Sequence, residues 1–332
     1  MPGQPNPRVG LFVTCLVDAI RPSIGFSAIQ LLEEAGCRVE VPQAQTCCGQ
    51  PALNSGDERD SAALARQTIA AFEGFDYVVL PSGSCAGTMV HGYPELLYDD
   101  QAWAPRARAM AARTHEITSF LVDVMGFRTK GRRLAATATY HDSCAGLREL
   151  GIAAQPRSLL AQVEGLEMRG LEGNDVCCGF GGTFCVKYSD ISNAIVTEKA
   201  EAIERTGADL LLAGDLAHAC TMNGRCAEVC PVGIPLPTLL RAWRRRSWRE
   251  RLEPGSVRAG IGAWAMLARR PALYRLASRI GVRALRLLGR RGWIRTLPLA
   301  GGWTAYRDMP RPSGRTFMEQ YRAEKARRED GK

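Results

Sequence analysis

The sequence lacks three features, and each absence argues against a class of protein. Its longest apolar stretches, such as Tyr77 to Leu80 and Leu210 to Ala213, are far too short to cross a bilayer. Residues 1–7 have neither a basic start nor an apolar run, so we expect no signal peptide and a cytoplasmic protein. No glycine-rich dinucleotide fingerprint precedes a helix, which leaves nicotinamide or flavin binding unsupported.

Cysteine, in contrast, is abundant, with twelve in 332 residues. In a small secreted protein such a number would predict disulfides. Here no export signal is expected, and adjacent cysteines do not readily cross-link with each other. Metal binding or redox chemistry is therefore the favoured interpretation.

A pair of adjacent cysteines followed by glycine occurs twice, as Cys47-Cys48-Gly49 and as Cys177-Cys178-Gly179. Neighbouring side chains on a strand point to opposite faces, so only a turn lets both sulfurs face one point. Glycine supplies that turn because it accepts backbone angles that other residues avoid. Each motif is therefore interpreted as a thiolate cradle for a soft metal centre.

The order of predicted elements also repeats, and the offset is nearly constant. Cys15 and Cys144 are 129 residues apart, and the two cysteine pairs are 130 residues apart. An internal duplication of this kind predicts two similar α/β lobes with parallel strands. The predicted strands are 9–14, 37–41, 77–80, 134–140, 166–171 and 208–213, and the predicted helices are 24–35, 59–72, 155–163 and 191–205.

Charge changes sign along the chain. Residues 1–218 hold 18 Lys and Arg against 26 Asp and Glu, whereas residues 219–332 hold 25 against 8. Such asymmetry indicates a composite protein. The predicted organisation is a first lobe (1–130), a second lobe (131–217), a ferredoxin-like cysteine segment (218–240) and a basic, mainly helical tail (241–332) whose last part, 296–332, is partly extended.

In the first lobe, Cys15 and Cys85 each follow a predicted strand. The carboxyl ends of parallel strands share one edge of a sheet, where the turn at Cys47 and Cys48 could meet them. Four thiolates suit an iron–sulfur cluster, and zinc would accept the same set. Cys37 is assigned to the core instead.

The second lobe supplies Cys144, Cys177 and Cys178 in the same order, but its fourth ligand stays open. Cys85 of the first lobe corresponds to a position near His218 or Cys220, and Cys185 is a further candidate. His141, three residues before Cys144, is interpreted as a hydrogen-bonded loop histidine, with a proton-donating role as the alternative.

A third group comprises Cys220, Cys226 and Cys230-Pro231. It is similar to a bacterial ferredoxin run, in which closely spaced cysteines end in Cys-Pro. Asn223 stands where such a run has its second cysteine. The group is therefore a half-motif with three thiolates, and a cluster there would need another ligand, a three-cysteine site or a partner.

The basic tail combines arginines with tryptophans, among them Trp243 and Trp248. The favoured interpretation is that it covers an acidic surface, either of residues 1–218 or of a partner subunit, with arginine stems lying on apolar ground. Peripheral contact with an anionic membrane and binding along a nucleic acid backbone are the less favoured alternatives.

Taken together, these motifs resemble the cysteine-rich Cys-Cys-Gly domain family, which includes a component of heterodisulfide reductase and the iron–sulfur component of glycolate oxidase. Residues 8–217 are most similar to the lactate utilization protein A family, and about 218–317 to the C-terminal part of lactate utilization protein B. The motifs that carry the resemblance are Pro81-Ser82-Gly83-Ser84-Cys85, His141-Asp142-Ser143-Cys144, Cys177 to Phe184, Ala213-Gly214-Asp215-Leu216 and Cys226 to Val232.

The resemblance implies an iron–sulfur oxidoreductase subunit with [4Fe–4S] clusters, in a complex that oxidises L-lactate to pyruvate. It implies partner subunits and a small-molecule substrate, and nothing in it calls for nucleic acid. The alternatives are a thiol/disulfide or glycolate oxidoreductase subunit and a non-catalytic fusion product with zinc or empty thiol sites. His218 stands where protein A would carry a cysteine, so the second lobe's last ligand departs from the family pattern.

Overall fold

The computed structural model describes residues 6–129, 131–179, 189–213, 236–297 and 308–330. Within them the chain forms two parallel β-sheets, with helices packed around them, and a helical C-terminal segment. The predicted α/β class, the pair of parallel-sheet lobes and the mainly helical tail are therefore confirmed.

The first lobe is built on a four-stranded sheet in the order β2-β1-β3-β4, with every pair parallel. β1 lies at the centre because its backbone pairs with β2 on one side and with β3 on the other. β4 was missed by the sequence analysis, since three residues carry too little pattern to reveal a strand. The strands are β1 (Arg8–Leu11), β2 (Arg38–Glu40), β3 (Tyr77–Leu80) and β4 (Thr114–Glu116).

The helices of this lobe alternate with its strands, as parallel pairing requires. Two five-residue π-helical turns, Thr88–Gly92 and Phe120–Val124, interrupt the series. The helices are α1 (Cys15–Ala19), α2 (Pro22–Glu34), α3 (Gln50–Ser55), α4 (Glu58–Phe72), α5 (Gly83–Gly87), α6 (Tyr93–Leu96), α7 (Ala104–Ala111) and α8 (Ile117–Ser119).

The second lobe repeats this plan with a three-stranded parallel sheet in the order β6-β5-β7. Its central strand again precedes a cysteine that begins a short helix. The elements are β5 (Arg133–His141), α9 (Cys144–Leu150), α10 (Ala154–Leu160), β6 (Glu164–Arg169), α11 (Ser189–Thr206) and β7 (Leu210–Ala213).

The C-terminal segment is mainly helical. The prediction of a partly extended C-terminal end is wrong for residues 317–330, which form a helix. The elements of the segment are α12 (Leu236–Arg249), α13 (Gly255–Ala268), α14 (Pro271–Leu288), β8 (Trp293–Ile294), β9 (Met309–Pro310) and α15 (Phe317–Asp330). No helix among the described residues is both long and apolar enough to cross a membrane.

The first sheet separates two apolar cores, because successive side chains of a strand face opposite sides. Val79 of β3 belongs to one core, while Val78 and Leu80 belong to the other. Cys47, Cys48 and Cys85 lie in the second of these cores, and Cys37 lies in the first, as predicted.

Candidate metal centre

Four cysteines meet at the carboxyl edge of the first sheet. Cys15 opens α1 after β1, and Cys85 lies in α5 after β3. Each of these short helices is capped by a hydroxyl: Val17 donates its backbone N–H to Thr14 Oγ1, and Cys85 donates its own to Ser82 Oγ. The caps fix where the helices begin, and therefore where the two sulfurs lie.

The paired cysteines reach the same place through the predicted turn. Gly49 has a φ of +85°, in the left-handed region that favours glycine. Tyr93, which is 1% exposed, donates its hydroxyl to the Cys48 carbonyl at 2.8 Å. This bond holds the turn in place from the protein interior. It could not be predicted from the sequence, because no local pattern links residues 48 and 93.

Gln45 also supports the first site, and was missed for the same reason. Its Oε1 accepts the Val13 N–H at 2.7 Å, and its Nε2 donates to the Leu11 carbonyl at 3.2 Å. The side chain therefore continues the hydrogen bonding of β1 beyond the strand. It holds the cysteine turn against the end of that strand.

The four sulfurs form a chain of contacts. Cys48 Sγ lies 3.4 Å from Cys85 Sγ, and the Cys47 side chain interacts with those of both Cys15 and Cys48. Cys47, Cys48 and Cys85 are almost fully buried. The first-lobe cysteines proposed from spacing are thus brought together by the fold.

Burial has a direct chemical consequence for these thiols. The contact with Cys47 and then burial raise the pKa of Cys15 well above its ordinary value. The hydrogen bond with Cys48 lowers the pKa of Cys85, but burial together with the charges of Cys15 and Cys47 raises it by more, so the net shift is upward. Thiolates at this position therefore need a nearby positive charge, which a bound metal core would supply.

The donor set fits a thiolate-bound metal, but the sulfurs do not already surround one ion. In the described part of the chain, no three His, Cys, Asp or Glu side chains are arranged around a single metal position. The 3.4 Å between Cys48 and Cys85 is shorter than the roughly 3.8 Å expected between thiolates around zinc. Loading the site therefore requires the sulfurs to move apart.

The second lobe places its cysteines in the same way. Cys144 opens α9, where Gly146 donates its N–H to Ser143 Oγ at 3.0 Å. Cys177 and Cys178 precede Gly179, which has a φ of +75° and donates its N–H to Cys177 Sγ at 3.4 Å. The second cysteine turn therefore has the same left-handed glycine as the first.

The surroundings of the second set differ from those of the first. Cys144 is buried, whereas Cys177 and Cys178 are only half-buried. Lys199, which is 8% exposed, donates its Nζ to the Gly173 carbonyl, and its charge acts on all three thiols. Burial lowers the pKa of Lys199. This cation was not anticipated, since it comes from α11, more than 20 residues after the turn.

His141 is the last residue of β5 and not a loop residue as predicted. It is 3% exposed, and its Nδ1 has no hydrogen-bond partner among the residues that the structure describes. Burial lowers its pKa, so the ring is neutral at neutral pH. Cys185, His218, Cys220, Cys226 and Cys230 lie outside the described residues, so the last ligand of the second set and the third cysteine group stay predictions.

The two cysteine sites lie back to back. α5, which holds Cys85, packs on α9, which holds Cys144. The contact is between backbones: a Cβ added to Gly83 would lie 2.8 Å from the Gly146 nitrogen. His91 also bonds the Glu149 carbonyl at 2.8 Å. Since each glycine is two residues from its cysteine, the two sites are neighbours across this contact.

Comparison with known proteins reproduces the duplication. One family of domains, the cysteine-rich domain, matches residues 9–90 and again residues 138–223. The two matches contain the four cysteines of the first site and the three of the second. The chain belongs to the cysteine-rich domain family.

Relatives in this family share the first two thirds of the chain. Lactate utilization protein A of Halalkalibacterium halodurans is 47% identical over 218 residues, which are 66% of this chain and 89% of that protein. The Bacillus subtilis protein of that name is 45% identical over 218 residues, or 66% and 91% of the two chains. The Exiguobacterium protein is 48% identical over 221 residues, or 66% and 90%.

The remaining part matches a different family, the C-terminal region of lactate utilisation protein B, over residues 249–326. This cysteine-rich domain protein therefore joins a protein A-like part to a protein B-like segment, as the sequence motifs predicted. The predicted cover of an acidic surface is seen at Arg245, which pairs with Glu58 at 3.1 Å and with Glu95 at 2.7 Å, both in the first lobe. Arg246 pairs instead with Glu250 of its own helix.

Proposed function

We propose that this protein is an iron–sulfur electron-transfer subunit of a complex that oxidises L-lactate to pyruvate. The observation that carries the proposal is the chain of contacts among four thiols, three of them buried, at the carboxyl edge of the first sheet. A set of four thiols without other ligand types suits iron–sulfur clusters. The names of the relatives support lactate utilization as the setting.

The ligand assignment follows from the two sites. Cys15, Cys47, Cys48 and Cys85 hold one cluster, and Cys144, Cys177 and Cys178 supply most of a second. The last ligand of the second cluster comes from Cys185, His218 or Cys220, while Cys226 and Cys230 belong with Cys220 to the third group. Bound there, a [4Fe–4S] cluster supplies one-electron redox chemistry.

The chain's own residues set the conditions for that chemistry. Burial of Cys47, Cys48 and Cys85 excludes water from the first site. Lys199 places a positive charge beside the second site and so favours extra negative charge there. The α5–α9 contact brings the sites close together, which suits electron transfer between them.

Lactate oxidation releases two electrons, whereas each cluster accepts one at a time. Two neighbouring sites suit this division of the electron pair. We place the lactate-binding site on another subunit of the complex, which this chain would meet in the cytoplasm. A complex that oxidises glycolate, or one that reduces a disulfide, could use the same electron-transfer subunit. Direct assay of each substrate distinguishes these alternatives.

The first test is the metal content of protein purified without oxygen. We expect brown protein with about eight irons and a matching amount of sulfide if two clusters form, and an electron paramagnetic resonance signal on reduction. Colourless protein with stoichiometric zinc would refute the redox proposal. The protein would then be mixed with its partner subunits and with lactate, glycolate or a thiol/disulfide couple in turn. The compound that reduces the clusters identifies the substrate.

Cys48→Ser tests the ligand assignment. We expect loss of about half of the iron and of one set of resonance signals, because one ligand of four is replaced. Cys37→Ala is the matched control. Cys37 is also buried, but it lies in the other core, and no thiol of the first site is among the groups that act on its pKa. Equal iron contents in the two variants would refute the assignment.

A further inference from the structure

The C-terminal segment lies directly over the first thiol site. Thr46, the residue before Cys47, donates its hydroxyl to the carbonyl of Ala268, the last residue of α13, at 2.8 Å. Trp264 of the same helix packs against the core cluster that contains Cys48 and Cys85. The segment therefore touches the turn that presents the paired cysteines.

Ion pairs anchor the segment beside this contact. Arg269 Nη1 lies 2.9 Å from Asp60 Oδ1, and the Asp60 side chain is only 7% exposed. Arg244 donates to the Asn54 carbonyl at 2.9 Å. Asp60 also pairs with Arg59 of its own helix at 3.6 Å, and Arg269 is the shorter of its two ion pairs. A buried carboxylate needs such compensation, so Arg269 contributes to stability as well as to attachment.

A second anchor joins the segment to α1, the helix that Cys15 opens. Asp18 is 6% exposed and accepts the backbone N–H of Met318 at 2.8 Å, at the start of α15. Next to it, the Phe317 ring fills the space beside Gly25, where a Cβ would lie 2.6 Å from the ring. Both ends of the C-terminal segment are thus attached around the first site.

The long helix of the segment lies against the helix that Cys15 opens. α14 packs against α1, and Tyr274 on α14 is half-buried. The segment therefore contacts both the turn that presents the paired cysteines and the element that presents Cys15.

The protein A relatives match 218 residues of this chain, which are about nine tenths of their own length and two thirds of this chain. We propose that the protein B-like segment of this chain is a lid that closes the first thiol site. The lid does not depend on whether the proposed clusters form.

The lid is tested on the full chain, reduced and free of iron, by the rate at which a maleimide modifies each cysteine peptide. We expect the Cys47-Cys48 peptide to react at least about tenfold more slowly than the half-exposed Cys177-Cys178 peptide, because reaction requires the lid to open. The double variant Arg245→Ala/Arg269→Ala removes two anchors and should accelerate the first peptide severalfold without changing the second.

Arg246→Ala is the matched control, because Arg246 pairs with Glu250 within its own helix. Circular dichroism and urea unfolding establish that each variant is folded before it is labelled. Equal rates for the two peptides in the unaltered chain would overturn the lid. So would a double variant that is folded and labels at the rate of the Arg246→Ala control.

Absence of iron in the purified chain would refute the proposed function, and the labelling rates would still decide the lid.

Discussion

The two cysteine sites have the same sequence pattern and different surroundings. In the first lobe the paired cysteines are almost fully buried beneath the C-terminal segment, and Tyr93 bonds their turn from below. In the second lobe Cys177 and Cys178 are half-buried, and the neighbouring charged group is Lys199. One site is therefore enclosed, and the other is more open and lies beside a cation.

This difference shows what a duplicated motif keeps and what it leaves free. Both lobes keep a cysteine at the start of a short helix and a left-handed glycine after the pair, because these features direct the sulfurs. Reduction potentials of iron–sulfur clusters depend on burial, net charge and hydrogen bonds. Two copies with equal ligands and unequal surroundings can therefore differ in potential, which suits transfer in one direction.

The largest difference in stability is expected when the glycine of each cysteine turn is replaced by alanine. In Gly179→Ala the new Cβ would lie 2.6 Å from the Ser192 carbonyl, a backbone atom, and φ is unfavourable. We expect a loss of about 3 kcal/mol of unfolding free energy. Gly49→Ala meets mainly the Leu64 side chain at 3.3 Å and should lose about 1–2 kcal/mol. Urea unfolding of the iron-free protein measures both, and equal losses would contradict the contrast.

The first site should also give a distinctive pH dependence. Burial raises the pKa of Asp18 from 3.8 to about 6. Because the folded state holds this proton more tightly, the unfolding free energy should fall by about 3 kcal/mol as pH rises from about 4 to about 6, and then level off. Asp18→Asn should flatten that part of the curve. Urea titrations at several pH values check it, and an unchanged slope in the variant would be inconsistent with the lid contact.

The contact between the sites predicts a smaller effect. Gly83→Ala would press a methyl group on the backbone of Gly146, and we expect a loss of about 2 kcal/mol with a slower exchange of electrons between the sites. Gly170→Ala is the control, since open space surrounds Gly170. Unfolding and rapid-mixing reduction of the loaded protein provide the two measurements. If both variants behave alike, the α5–α9 contact does not couple the lobes.

The smallest change in stability is expected for Lys199→Met. Replacing a buried cation by an apolar side chain of similar length is often neutral, so the unfolding free energy should change by less than about 1 kcal/mol. The midpoint potential of the second site should become more negative while that of the first stays constant, because a positive charge favours the reduced cluster. A shift shared by both sites would show that Lys199 does not act on the second site alone.

The sequence predicted most of the fold and the first site, for identifiable reasons. Strands such as β3 and helices such as α4 have strong local patterns, and two turns with left-handed glycines were predicted from three residues each. β4 is too short to have such a pattern. The helix α15 was missed because its apolar residues cluster at its first turn, where Phe317 and Met318 pack on the first lobe.

The sequence by itself determined the set of thiols, the duplication and the sheet edge at which the sulfurs meet. These depend on residue identity and on the order of strands and helices, which are local properties of the chain. Only the tertiary structure decided what surrounds each pair. Tyr93, Lys199 and Trp264 come from elements distant along the chain, and their positions depend on packing between those elements. The two Cys-Cys-Gly turns therefore share one sequence pattern and lie in different surroundings.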